Sequence, residues 1–151
     1  MEWKSTIEAL LFESGRPRLL VGDEMPSVVG DRVVVAWNGS VEAARSVAMS
    51  EALLLNSSEV VVVNVAGATV PGPSAKQVVA QMCARNIPAR AETIERGGAT
   101  VGGAFLDYVE DFDADLLIKS AFTQSRFRQW VFGGATKEII STASIPVFMC
   151  H

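Results

Sequence analysis

The stretch IKSAFTQSRFRQWVFGGAT, residues 118–136, runs from an apolar segment through a polar loop into a glycine pair. The chemistry it suggests is the holding of a phosphate. Backbone N–H groups at a helix start, reinforced by the helix dipole, favour an anion whatever the side chains are. Gly133 and Gly134 provide such a start, and Lys119, Arg126 and Arg128 offer positive charge, although basic side chains on loops and strand ends are usually solvated. The first half of the loop is made of the wrong residues for this task. Ser120 and Thr123 stand where a backbone that wraps a phosphate is expected to carry glycine, and a branched side chain in the left-handed conformation costs about 1 kcal/mol or more.

Other chemistries find less support. No GxxxxGK[ST] stretch is present to hold a triphosphate and magnesium, and no G-x-S-x-G elbow is paired with a histidine base. The single histidine, His151, is the last residue, and the thiols and carboxylates are not spaced to complete a zinc site around it. Glu110-Asp111-Phe112-Asp113-Ala114-Asp115 reads as a solvated turn between a helix and a strand and not as a metal cluster. Cys83 and Cys150 lie in apolar patterns and read as reduced core thiols. With no positioned base or nucleophile, the expectation is a protein that is not an enzyme.

The elements that must carry the loop alternate strand with helix from residue 31 onward. Residues 33–37 form a β-branched run that ends at Asn38-Gly39-Ser40. Ser40 can cap a helix with Ala44, Val47, Ala48, Ala52 and Leu55 at helical spacing. Residues 59–65 make a second buried strand, and Ser74 opens a helix with the stripe Val78, Val79, Met82 and Cys83. An edge strand at 89–95 follows, then Thr100 and a helix marked by Ala104, Phe105, Tyr108, Val109 and Phe112. Residues 115–118 make the fourth strand, a helix spans roughly 133–143 with Ile139 and Ile140 inward, and residues 146–150 make the fifth. Right-handed crossovers then imply an α/β fold with a five-stranded parallel doubly wound sheet, order 3-2-1-4-5, whose ligand crevice lies between the first and fourth strands.

Composition agrees with one such domain. The 151 residues are 49% hydrophobic and 20% charged, and runs such as VVVAW and VVVVNV are those of strands covered on both faces. A net charge of −4 argues against a nucleic-acid partner, which would demand clustered Lys and Arg. The start MEWKSTIEALLFESG is acidic where a targeting signal would be positive, and no apolar run is long enough for a bilayer, so a cytoplasmic protein with no membrane partner is expected.

An extra helix and strand precede the alternating pattern. TIEALLFESGRPRLLV, residues 6–21, is similar to ATKEIISTASIPVFM near the other end: a helix opened at Thr6 or Thr136, a proline at Pro17 or Pro146, then an apolar strand. The spacing differs by one residue. Residues 22–30 then read as a linker.

Residues 31–151 resemble the universal stress protein family. The phrases VVVAWNGSVEAARSVA, FDADLLIKSAF and GGATKEIISTASIPVFMCH carry the resemblance, together with the spacing of Ser120-Ala121-Phe122-Thr123, nine residues, then Gly133-Gly134. The resemblance implies a Rossmann-like five-stranded fold and, in one branch of the family, ATP bound through G-x-x-G, nine residues, then G and Ser or Thr. Carried over by position, Ala36 would belong to the nucleotide site, Asn38 would stand near adenine and ribose, Val65 would contact the base through its backbone, and Lys119, Ser120 and Thr123 would line the phosphates. Gly133, Gly134 and Ala135 would add backbone N–H groups, and Trp37 would either stack on adenine or, as simple packing favours, fill its pocket. The cofactor so implied is ATP or AMP at a degenerate site.

The resemblance also makes residues 1–21 the closing helix and strand of a preceding universal stress domain, 22–30 a linker and 31–151 a complete domain. The implied assembly is a homodimer through the last strand or the N-terminal strand, with further protein partners unspecified. The strand at 18–21 is expected to pair antiparallel with the last strand, in its own chain or in a partner's, because an apolar edge invites such pairing.

Overall fold

A computed structural model describes residues 2–121 and 134–151. The chain order is α1 (Glu2–Phe12), β1 (Arg18–Leu20), β2 (Arg32–Ala36), α2 (Val41–Met49), α3 (Glu51–Leu54), β3 (Glu59–Val65), α4 (Ala75–Ala84), β4 (Ala89–Ile94), α5 (Val101–Asp111), β5 (Leu116–Ser120), α6 (Gly134–Thr142) and β6 (Val147–Cys150). These strands form one sheet in the order β1-β6-β5-β2-β3-β4. Strands β2 to β6 are parallel and occupy the expected 3-2-1-4-5 order. The sixth strand is the N-terminal one: β1 adds antiparallel to β6 of its own chain.

The central strands are buried on both faces, which is why they read as unbroken Val/Leu/Ile runs. On one face Val34, Val61, Val63 and Leu117 pack under α1, α5 and α6 through Leu11, Phe105 and Ile139. On the other, Val33, Val35, Val62 and Ile118 pack under α2, α3 and α4 through Ala43, Leu54, Val78 and Met82. Helix starts follow their caps. Ser40 accepts from Ala43 N at 3.1 Å, Ser74 and Gln77 form a reciprocal capping box, and Thr100 accepts from Gly103 N at 3.0 Å.

Three sequence expectations need correction. The helix after Ser40 turns a different face inward: Ala43, Ser46, Ser50 and Leu54 are buried, whereas Ala44, Ala48, Ala52 and Leu55 are exposed. Small serines bring the helix close to the sheet, their hydroxyls satisfied by Glu42 O, Val47 O and the Cys150 thiol. Cys83 is exposed, on the outer side of α4, so only Cys150 is a core thiol. The fourth parallel strand runs two residues further than its apolar stretch, through Lys119 and Ser120.

The linker end is clamped. Asp115, from the acidic run read as a turn, accepts backbone N–H groups from Gly30 at 2.8 Å, Asp31 at 3.1 Å and Arg32 at 3.2 Å. Arg32 then donates to Phe112 O at 2.7 Å and pairs with Glu59 at 3.1 Å. No helix among the described residues is long and apolar enough to cross a membrane.

Candidate functional site

Parallel pairing of β2 with β5 runs from Val33↔Leu116 to Val35↔Ile118 and stops. Beyond it each strand keeps only its outer neighbour, Ala36 with Val63 and Lys119 with Met149. The two strands part at the point where the winding direction reverses, which is where an open α/β sheet takes its ligands. The sequence-derived residues fall into two groups around it.

Ala36, Asn38 and Val65 stand together at the carboxyl ends of β2 and β3. Three of their oxygens already accept hydrogen bonds within the chain. Asn38 Oδ1 accepts from Ser40 N at 3.0 Å, Asn38 O accepts from Val70 N at 2.8 Å, and Val65 O accepts from Ala68 N at 3.1 Å. The loop of residues 66–73 lies across the Asn38 loop at backbone contact: Gly39 has φ +86°, and a Cβ on Gly72 would stand 1.9 Å from Gly39 O. Only glycine permits that approach. Trp37 is buried among the sheet and helix residues, its Nε1 donating to Pro73 O at 2.8 Å, so it packs as its favoured reading had it and also anchors the crossing loop. Beneath that loop a cavity of about 360 Å³ is lined by Trp37, Asn64, Val70, Pro73, Ala91 and Thr93.

Lys119 and Ser120 belong to the second group, with Gly134 and Ala135. Lys119 is 6% exposed, contrary to the solvated reading. Its Nζ donates to Ser120 O at 3.1 Å and to Thr136 Oγ1 at 3.3 Å, and Thr136 Oγ1 donates onward to Ala121 O at 3.3 Å. Burial lowers the Lys119 ammonium to about 8, and no carboxylate among the described residues offsets it. Ser120 is the last residue of β5, in register with Cys150, so it has extended backbone and is not the opening of a loop. Gly134 and Ala135 begin α6, which approaches α5 where a Cβ on Gly102 would meet the Ala135 backbone at 3.1 Å. Thr123, Gly133, Arg126 and Arg128 lie outside the described residues.

Sequence reasoning missed two participants. Thr136 was seen only as a helix opening, yet it ties α6 to the end of β5. Gly72 carries no role in the sequence reading, although the pair Gly39 and Gly72, each in close backbone approach, marks the crossing.

The parallel sheet with helices on both faces and a crevice at the switch point defines the class of doubly wound α/β domains. Residues 30–151 match the family model described as "Universal stress protein family", and the chain belongs to that family. No curated protein matches it by sequence. Among solved structures, a universal stress protein from Archaeoglobus fulgidus DSM 4304 is similar at TM-score 0.72 and 20% identity, covering 99% of this chain and 56% of that one. The chain thus spans little more than half the length of that relative. UspA from Lactobacillus plantarum is similar at TM-score 0.59 and 14% identity, over 83% of this chain and 100% of that one. A universal stress protein in complex with cAMP is similar at TM-score 0.59 and 13% identity, over 80% of this chain and 97% of that one. At such identities the likeness is one of fold.

Proposed function

We propose that this chain is a non-enzymatic, cytoplasmic stress-response domain that acts through dimerisation or protein association, around an adenine-nucleotide site that is degenerate. The observation that carries this reading is the crossing of residues 66–73 over the Asn38 loop, in which Val70 N donates to Asn38 O and Ala68 N to Val65 O, while Asn38 Oδ1 accepts from Ser40 N within its own turn. Asn38 Oδ1 and Val65 O each already accept a hydrogen bond from within the chain, and a nucleotide would compete with those contacts. Ser120, held in β5, adds to the argument because a strand residue cannot wrap a phosphate. The organisation we propose is a remnant of a preceding domain at 1–21, a linker at 22–30 and the universal stress domain at 31–151. In support, the longer Archaeoglobus relative covers the N-terminal elements, whereas the shorter Lactobacillus one leaves part of this chain unmatched.

Calorimetric titration with ATP and with AMP, each to millimolar concentration and paired with a thermal-shift series, tests the degenerate site. No heat and no shift are expected. Saturable heat with either nucleotide overturns it in favour of a second reading, an ATP- or AMP-binding switch with slow or no hydrolysis. One observation favours that switch: Lys119 buries a positive charge beside the start of α6 without a carboxylate partner among the described residues. The cAMP complex of a relative shows what a member of the fold can hold. If the switch is right, Lys119→Met removes the heat.

A further inference from the structure

The cavity beneath the crossing loop lies on the opposite face of the sheet from the residues carried over for the nucleotide. Side chains alternate along a strand. Ala36 and Val65 accordingly join the core under α1, α5 and α6, as Lys119 does through Thr136 of α6, whereas Trp37 and Ala91 join the core under α2, α3 and α4. Asn64, next to Val65, stands on the Trp37 side together with Thr93, its partner in register on β4. The sheet thus separates this cavity from Lys119, and its volume of about 360 Å³ is that of a small-molecule site.

Its floor holds a polar pair in an otherwise apolar row. Val60 and Val62, the β3 residues turned to the same face, are fully buried, and Asn64 breaks their sequence half-buried. Thr93 Oγ1 donates to Asn64 Oδ1 at 3.0 Å. That bond engages the amide oxygen and leaves the two Nδ2 donors without an acceptor among the described residues. Around the pair, Trp37, Val70, Pro73 and Ala91 line the cavity with apolar surface, and Lys76 brings a positive charge to its rim. Lys76 is exposed and forms no ion pair among the described residues, whereas Glu92, the acidic residue of the lining, is taken by Arg90.

We infer that this cavity is a ligand site of its own and takes a small carboxylic acid with an apolar body. The inference goes beyond the association reading and does not depend on it. The carboxylate accepts from Asn64 Nδ2 and faces Lys76, while the apolar part lies against Trp37, Val70 and Ala91. Donors in excess of acceptors select an anionic, acceptor-rich group, and the lysine at the rim turns an amine away. Binding also holds the crossing loop in place. Val70 and Pro73 line the cavity and are at the same time the residues that tie the loop to Asn38 O and to Trp37 Nε1.

Benzoate and hexanoate are the probes, with benzamide and hexanamide as uncharged controls, each titrated to millimolar concentration into the isotope-labelled full chain and followed by NMR. Either acid is expected to give saturable shifts at the Trp37 indole N–H, the Asn64 side-chain amide and residues 69–76. The matching amide is expected to bind about tenfold more weakly, since a hydrogen bond to a charged group is about twice as strong as a neutral one. Asn64→Val, which continues the valine row, is expected to weaken the acids by about tenfold or more. Lys76→Gln, on the exposed rim, keeps the test open if the strand variant does not fold; a loss of about two- to fivefold that fades at high salt is expected. Excess AMP is expected to leave the acids in place, so this result and that of the nucleotide titrations are read separately. No saturable shift with either acid, shifts centred elsewhere, amides that bind as well as acids, unchanged affinity in the folded variants, or displacement by AMP each overturns the inference.

Discussion

On the β2–β3 side of the crevice the chain satisfies itself with neutral groups, carbonyl to amide and glycine against glycine. On the β5–α6 side it buries an ammonium against two neutral oxygens. The first arrangement gains by closing, because each polar atom covered by the crossing loop finds a partner as it loses water. The second is a standing cost, since removing a charge from water is repaid only in part by hydrogen bonds to uncharged acceptors. Satisfied polar contacts and an uncompensated charge are thus divided between the two walls of the crevice. Conditions that change charge act on the lysine side and leave the loop crossing untouched.

The largest expected effect breaks the lysine side. Lys119→Met replaces a buried charge with an apolar chain of similar length and is expected to stabilise the fold by about 2–3 kcal/mol at neutral pH, read from urea midpoints. The sign follows from the lowered pKa. Below pH 8 the lysine is protonated in both states and folding bears the whole cost of burial; between about 8 and 10.5 the unfolded chain holds the extra proton, so wild-type stability rises with pH. The gap between wild type and variant is therefore expected to close over that window. A gap independent of pH would mean that the lysine is not the source.

Breaking the other wall should cost somewhat less and show no such pH dependence. Gly72→Ala forces a Cβ toward Gly39 O and is expected to destabilise by about 2 kcal/mol, with the 66–73 loop losing amide-exchange protection. If the fold loses nothing, the crossing is not the closed contact described. Smaller still is Ser120→Gly. In a loop it would restore a phosphate-binding glycine, but in a strand it is expected to lower stability by about 0.5–1 kcal/mol and to leave nucleotide binding undetected by calorimetry. Nucleotide binding gained by this variant would put Ser120 back in a loop. Smallest is Asn38→Asp, which keeps the oxygen that accepts from Ser40 N. A thermal melt within about 0.5 kcal/mol of wild type is expected, again without nucleotide heat, and heat gained by this one change would show that the loop crossing is no barrier.

Much of the fold was legible because its strands are buried on both faces and so announce themselves as β-branched runs between caps. The pairing of β1 with β6 was legible too, from an apolar strand that would otherwise be left at an edge. The inward face of α2 was not, since Ser46 and Ser50 are buried for their small size and bond to the helix backbone, a role that a search for apolar stripes passes over. Lys119 and Ser120 were assigned to a loop because polar residues end an apolar run, whereas β6 supplies neighbours that carry β5 two residues further. Asn38 and Val65 were placed correctly at the strand ends. Their capture by residues 66–73 depends on two glycines distant in sequence meeting in space, and no local pattern records that.

The clamp at Asp115 fixes where the N-terminal unit is tied down. With Gly30 held, the nine residues 21–29 are the tether of β1, and a flexible chain of that length has an end-to-end distance of about 15–20 Å. A short tether of this kind gives an effective concentration on the order of millimolar. Any free strand that competes for β6 does so against that local concentration, so the grip of Asp115 on three backbone amides sets the threshold for exchange as much as the residues of the strand itself do.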